Sequence, residues 1–197
     1  CFGAPGSYYG TRSFGVGSKN LHARPVPHLE KYHGQNIFLT EALTLEAKVE
    51  IDKALNASKP FFLHMSHYAV HSPFQSDPRF AKNYQGKSPS LMAYATMIEG
   101  MDKSLGDLID HIETKGVAEN TLIIFLGDNG GDAPDKDLDG ISSCAPLRGR
   151  KGAKWEGGMR VPFIASWGKV NPENAFQKDN PIVPDSMVQK FGTCFDL

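Results

Sequence analysis

A helix-period stretch set between two short apolar runs constrains this chain more than any other feature. Phe61-Phe62-Leu63-His64-Met65-Ser66 and Thr121-Leu122-Ile123-Ile124-Phe125-Leu126 are nearly continuous apolar runs, the pattern of strands covered on both faces. Between them Ile98, Met101, Leu105, Leu108 and Ile112 recur at steps of three and four, while Glu99, Lys103, Asp107 and Asp110 face away. Ser88 is placed as the N-cap of this helix, Pro89 at its first position and Gly116 as its C-terminal cap. A third run, Val161 to Trp167, predicts another strand, with Pro162 favouring an edge position or a strand start. Strand, helix, strand, loop, strand implies an α/β layered architecture with a largely parallel sheet and flanking helices.

Other segments are read with the same rules. From Thr40, Leu43, Ala47, Ile51 and Leu55 share one helical face, and Lys59-Pro60 ends that helix. Residues 1–35 are rich in Gly, Pro, Ser, Tyr and His without a sustained period, and are expected to be irregular. Asp185 onward is expected to begin a further helix. At 197 residues the chain corresponds to about 1.3 domains of ordinary size. The expectation is a single-domain fragment, because three strands do not make a sheet with covered faces and closed edges. No leader pattern of charged then apolar residues occurs at Cys1-Phe2-Gly3-Ala4-Pro5-Gly6.

Composition removes several classes. With 21 Lys plus Arg against 22 Asp plus Glu, the net charge is -1, so no cationic excess drives binding to nucleic acid or to a membrane surface. No run approaches the ~18 apolar residues of a membrane-spanning helix. Cys1, Cys144 and Cys194 are too few and too scattered for a disulfide framework or a zinc site.

Polar clusters follow the strand-like runs, where α/β sheets carry their sites. After the second run come Gly127-Asp128-Asn129-Gly130-Gly131. Asp128 and Asn129 offer oxygen donors suited to calcium or magnesium, and the glycines let backbone approach an ion closely. The same residues are also ordinary turn chemistry, and two donors are fewer than the ~6 that either ion takes. After the first run comes His71, a residue able to protonate a leaving group or bind an anion. Arg148, Arg150, Lys151 and Lys154 lie among glycines, a setting in which amides and ammonium groups hold sulfate or phosphate. A solvated basic loop has the same composition.

Together these segments resemble the sulfatase family within the alkaline-phosphatase-like group. Pro60-Phe61-Phe62-Leu63 through His71-Ser72-Pro73 is similar to the family's strand and histidine loop. Tyr94 to Asp102, then Glu119-Asn120-Thr121 through Asp128-Asn129-Gly130-Gly131, is similar to its helix, strand and metal-ligand turn. Leu147-Arg148-Gly149-Arg150-Lys151-Gly152 and Glu156 to Pro162 resemble its anion-binding lysine loop, and Phe195-Asp196-Leu197 the start of a later helix. The resemblance covers roughly residues 36–197 and implies the C-terminal part of a sulfatase catalytic domain.

What it implies is hydrolysis of a sulfate ester, of a sulfated small molecule or glycan, at a calcium site, with magnesium as the other candidate ion. Asp128 and Asn129 would be two metal ligands. Lys151 would hold sulfate oxygens, and His71 would contact the sulfate or protonate the leaving oxygen. The implied nucleophile is a formylglycine in a Cys/Ser-x-Pro-x-Arg motif upstream of this region, so these residues alone are expected to be inactive. The implied compartment is periplasmic, secreted or lysosomal. Cys144-Ala145-Pro146-Leu147-Arg148 fits that motif literally. Glycines at 149, 152, 157 and 158 make a poor helix after it, and the residues already occupy the stretch ahead of the lysine loop, so Cys144 is not read as the nucleophile. The alternatives are a phosphate or phosphonate ester hydrolase of the same superfamily, and a non-catalytic module holding sulfated glycan through Arg150, Lys151 and Lys154.

Overall fold

A computed structural model describes residues 26, 28–32, 35–132, 142–188 and 192. Their order is α1 (Leu39–Asn56), α2 (Pro89–Thr114), β1 (Leu122–Leu126), α3 (Glu156–Met159), β2 (Phe163–Trp167) and α4 (Ala175–Asp179), with short 3-10 turns at Glu30–Tyr32, Ala81–Tyr84 and Ala118–Asn120. The chain is α/β. It divides into one compact unit of residues 1–111 and 127–161 and another of 112–126 and 162–197.

In the first unit the core gathers Val26, Leu29, Tyr32, Phe38, Leu39, Ala42 and Met97, with Tyr68, Ala69, Val70 and Phe74 packed against it. Part of the segment expected to be irregular therefore enters the core. Met97 is fully buried, a contribution of about 1.5–3 kcal/mol for a side chain of its size. On α1 the buried residues are Leu39, Thr40, Ala42, Thr44, Ala47 and Ile51, so Ala47 and Ile51 are buried as expected, Leu43 packs half-buried against the core, and two threonines join the buried face. The Thr44 hydroxyl is satisfied within the helix, donating to the Thr40 carbonyl at 2.7 Å. α2 starts as its sequence implies, with the Leu91 N–H donating to Ser88 Oγ at 3.3 Å. Within this unit its buried stripe is Ala93, Thr96, Met97, Gly100 and Ser104, while Ile98 is 41% exposed. Gly100 faces Asp77, whose carboxylate is fully buried and takes a two-pronged ion pair from Arg79.

The run Phe61–Ser66 is not a strand, which corrects the expectation. Phe62 is 94% exposed. An apolar run becomes a strand only through ladder hydrogen bonds, and none of the described residues pairs with it.

In the second unit β1 and β2 pair antiparallel, in register from Leu122 opposite Trp167 to Leu126 opposite Phe163. The parallel arrangement expected for these runs is thereby corrected. Periodicity reports that a segment is extended but not its direction, and the long connection between them permits either. Both faces of this pair carry exposed apolar side chains, among them Leu122, Ile124, Phe163 and Ile164. The C-terminus of α2 is closed by Gly116 at φ 73°, with Val117 N–H reaching the Ile112 carbonyl at 3.0 Å. α4 was not foreseen. Its Asn174 side chain accepts from the Phe176 and Gln177 amides, and buried Gln177 bonds Glu119 O, Lys169 O and Asn171 N. Residues 185–188 are not helical, so the helix expected from Asp185 is corrected where it is described. Its remaining residues, with Phe195-Asp196-Leu197, lie outside the described residues. None of the described helices is long and apolar enough to cross a membrane.

Candidate active site

Asp128 and Asn129 occupy a bend directly after β1, and Lys151 lies on the loop that precedes α3. Backbone hydrogen bonds join the two segments. Gly130 N–H donates to Gly158 O at 3.1 Å, and Lys151 N–H donates to Gly131 O at 3.1 Å. Gly131 N–H donates to Cys144 Sγ at 3.2 Å. The loop is also closed on itself, by Gly157 N–H to Arg148 O and Ala153 N–H to Arg150 O, both at 2.8 Å.

Glycine is required for this closeness. A Cβ on Gly130 would overlap the Gly157 carbonyl oxygen, one on Gly157 the Gly149 carbonyl oxygen, and one on Gly158 the Ala153 carbonyl oxygen. The doublets Gly130-Gly131 and Gly157-Gly158 are thus two halves of one seam, a pairing that sequence reasoning did not draw. The doublets themselves were the available signal.

The side chains on this seam suit different partners. Asp128 is exposed and its carboxylate meets no donor among the described residues. The Asn129 amide nitrogen donates to Gly130 O at 2.9 Å, which leaves Oδ1 as its ligand atom. These are oxygen donors for a hard cation. No group of three or more His, Cys, Asp or Glu able to hold a metal occurs among the described residues. The pair therefore fits part of a calcium coordination sphere, not a whole one.

Lys151 is partly exposed, with its ammonium 3.6 Å from Asp132 Oδ2. Sequence reasoning missed Asp132 because a lone aspartate in a polar loop has no distinguishing spacing. Arg148 lies 3.9 Å over the Trp155 ring, with Lys154 Nζ at 5.5 Å. Two of the four loop cations are thus engaged by an aromatic face. Cys144 precedes a turn at residues 145–148, not a helix.

His71 is exposed on the segment after residue 66. Its Nδ1 lies 2.8 Å from the Ser72 carbonyl oxygen. A carbonyl only accepts, so Nδ1 carries a proton. Its backbone N–H donates to Tyr68 O at 2.9 Å. Tyr68, Ala69 and Val70 are packed against the first unit's core, which gives the histidine a firm base.

The described contacts join the Asp128-Asn129 turn to the Lys151 loop, and His71 stands on a separate segment. The family model described as Sulfatase matches residues 16–197. The chain belongs to the sulfatase family. The human steryl-sulfatase is 34% identical over 135 residues, covering 67% of this chain and 22% of that protein. An N-acetylgalactosamine-6-O-sulfatase of Bacteroides thetaiotaomicron is 32% identical over 142 residues, covering 68% of this chain and 26% of that protein. This sulfatase chain therefore spans about a quarter of the length of the curated relatives it matches. The crystal structure of Ps i-CgsB in complex with k-i-k-neocarrahexaose aligns at a TM-score of 0.59 and 33% identity, covering 68% of this chain and 30% of that one. The PsFucS1 sulfatase from Pseudoalteromonas sp. aligns at 0.53 and 36% identity, covering 66% and 24%.

Proposed function

We propose that the protein containing this chain hydrolyses sulfate esters on a carbohydrate, and that Lys151, His71, Asp128 and Asn129 serve that reaction. The observation that carries the reading is the hydrogen-bonded seam between the Asp128-Asn129 turn and the Lys151 loop. It joins a turn with oxygen donors suited to a cation to a loop with an ammonium group suited to an anion, which supports a sulfate ester bound next to a metal. Sulfated carbohydrate is favoured by the names of two similar proteins, the galactosamine sulfatase and the carrageenan-oligosaccharide complex.

The chain's residues divide the work. The Lys151 ammonium neutralises sulfate oxygens, where a fixed charge favours the negative charge that develops as the ester breaks. The Nε2 of His71, protonated, gives its proton to the departing sugar oxygen. Asp128 and Asn129 Oδ1 would hold calcium, which when bound supplies positive charge that polarises the ester. The implied formylglycine nucleophile is not assigned to any residue of this chain, Cys144 included.

The test is inorganic sulfate release from sulfated oligosaccharides by the full-length protein, measured by ion chromatography. Lys151→Ala should lower kcat/KM by about 10²-fold or more. Phosphate release from a phosphate ester, with no sulfate release from any sulfated sugar, would overturn the reading.

A further inference from the structure

A buried line of hydroxyls runs from α1 through α2 to the segment that bears His71. Thr44 Oγ1 lies 2.7 Å from the Thr40 carbonyl oxygen and 2.5 Å from Ser104 Oγ. Ser104 Oγ lies 3.5 Å from His67 Nε2. Thr44 and Ser104 are 4% and 2% exposed, so both hydroxyls of this line are buried.

Proton counting gives the line one direction. A carbonyl only accepts, so Thr44 spends its single hydroxyl proton on Thr40. Thr44 Oγ1 must then accept from Ser104, whose proton is spent in turn. Ser104 Oγ is left as an acceptor, and the group facing it, His67 Nε2, must carry the hydrogen. His67 is therefore the Nε2–H tautomer, with a bare lone pair on Nδ1. That atom is buried and has no hydrogen-bond partner among the described residues. A buried orphan is unusual enough to need a reason. Burial holds the ring's pKa below its ordinary 6.5, in keeping with a neutral imidazole.

We infer that His67 is a positioning residue, which fastens the segment 67–71 to α1 and α2 through Ser104 and Thr44 and so sets where His71 stands. The segment is held at two places. His67 anchors its start by the hydroxyl line, and Tyr68, Ala69 and Val70 rest on the apolar core. From there His71 is reached by one turn, closed by its own N–H on Tyr68 O. The inference rests on the reading of His71 as a sulfate-site residue, because it explains how that histidine is placed.

The test uses the full-length protein labelled with 15N-histidine. Long-range 1H–15N spectra should show His67 as the neutral Nε2–H tautomer. His67→Leu keeps bulk but removes the donor, Ser104→Ala removes the acceptor, and His67→Gln restores an N–H near the Nε2 position. His67→Leu and Ser104→Ala should shift the His71 ring resonances and lower kcat for sulfate release about tenfold, as displacement of a reacting group does. KM should stay within about a factor of two, and His67→Gln should recover most of the rate. An Nδ1–H tautomer at His67 overturns the inference. So does a folded His67→Leu protein with unmoved His71 resonances, or a His67→Gln protein as impaired as His67→Leu. If the wild-type protein releases no sulfate, the functional reading falls, and the tautomer with the His71 resonances alone decides the positioning role.

Discussion

The Lys151 backbone N–H donates to the Gly131 carbonyl oxygen at 3.1 Å, so the loop that bears Lys151 and the Asp128-Asn129 turn are fastened at the main chain. Their side chains can respond to a ligand without the frame between them moving. Charge is supplied by Asp128 and Lys151 and a neutral oxygen donor by Asn129, whereas the backbone contact between their segments is permitted by glycines that carry no charge at all.

Substitution at the seam should therefore be severe and local. Gly130→Ala forces a methyl group into the Gly157 carbonyl and should lower kcat/KM by about 10²-fold or more, with the far-ultraviolet circular dichroism unchanged. Gly106→Ala is the contrasting case. It lies exposed inside α2 with nothing within 4 Å of its added Cβ, and should raise stability by about 0.5–1 kcal/mol. Thermal melting and turnover of the two variants, side by side, check both.

The Asp77–Arg79 pair makes an asymmetric prediction. Asp77 is fully buried, whereas the Arg79 side chain is 30% exposed and also meets Glu41 at 3.3 Å. Arg79→Met strands a buried carboxylate and should cost about 3–5 kcal/mol. Asp77→Asn leaves an arginine with another partner and some water, and should cost less. Thermal denaturation of the two variants gives the order, and a larger loss in Asp77→Asn would contradict it.

Acid should destabilise the fold partly through His67. Its folded pKa is lowered by burial, so below pH 6.5 the unfolded chain takes up a proton that the folded one resists. Stability attributable to this group is full above 6.5 and declines as pH falls from 6.5 to the folded value. His67→Gln should flatten the dependence of melting temperature on pH across that window. An unchanged slope would contradict it.

Chelation gives a separate check on the turn. Removing calcium from the full-length protein should abolish sulfate release, and adding it back should restore it. Asp128→Asn retains an oxygen but loses a charge, and should raise the calcium concentration needed for half-maximal activity by about tenfold or more. A variant with wild-type calcium dependence would remove Asp128 from the ligand set.

Legibility in the sequence followed local physics. α2 was legible because Ser88, Pro89 and Gly116 mark its ends by backbone chemistry and its period is sustained between them. The strands β1 and β2 were legible as extended segments, but their antiparallel sense depends on pairing, which no local pattern encodes. Phe61–Ser66 misled for the same reason, since apolar content marks a segment that wants cover without supplying its neighbour. Short α4 was signalled by Asn174 ahead of Ala175-Phe176-Gln177, a capping residue easily taken for loop composition. At the site, residue type and order name Asp128, Asn129, Lys151 and His71 as candidates. The glycine seam, Asp132 and the His67 line were not legible, because each is a contact between distant segments.

The carboxylate of Asp132, 3.6 Å from the Lys151 ammonium, has a consequence for the end of a catalytic cycle. If Lys151 holds the sulfate, the free anion produced must compete with a tethered carboxylate whose effective concentration is about millimolar or higher. Asp132 then acts as a built-in displacer, and the accumulated product inhibits only weakly. Neutralising it in Asp132→Asn would leave the lysine slower to give up its cargo, and inhibition by inorganic sulfate would deepen.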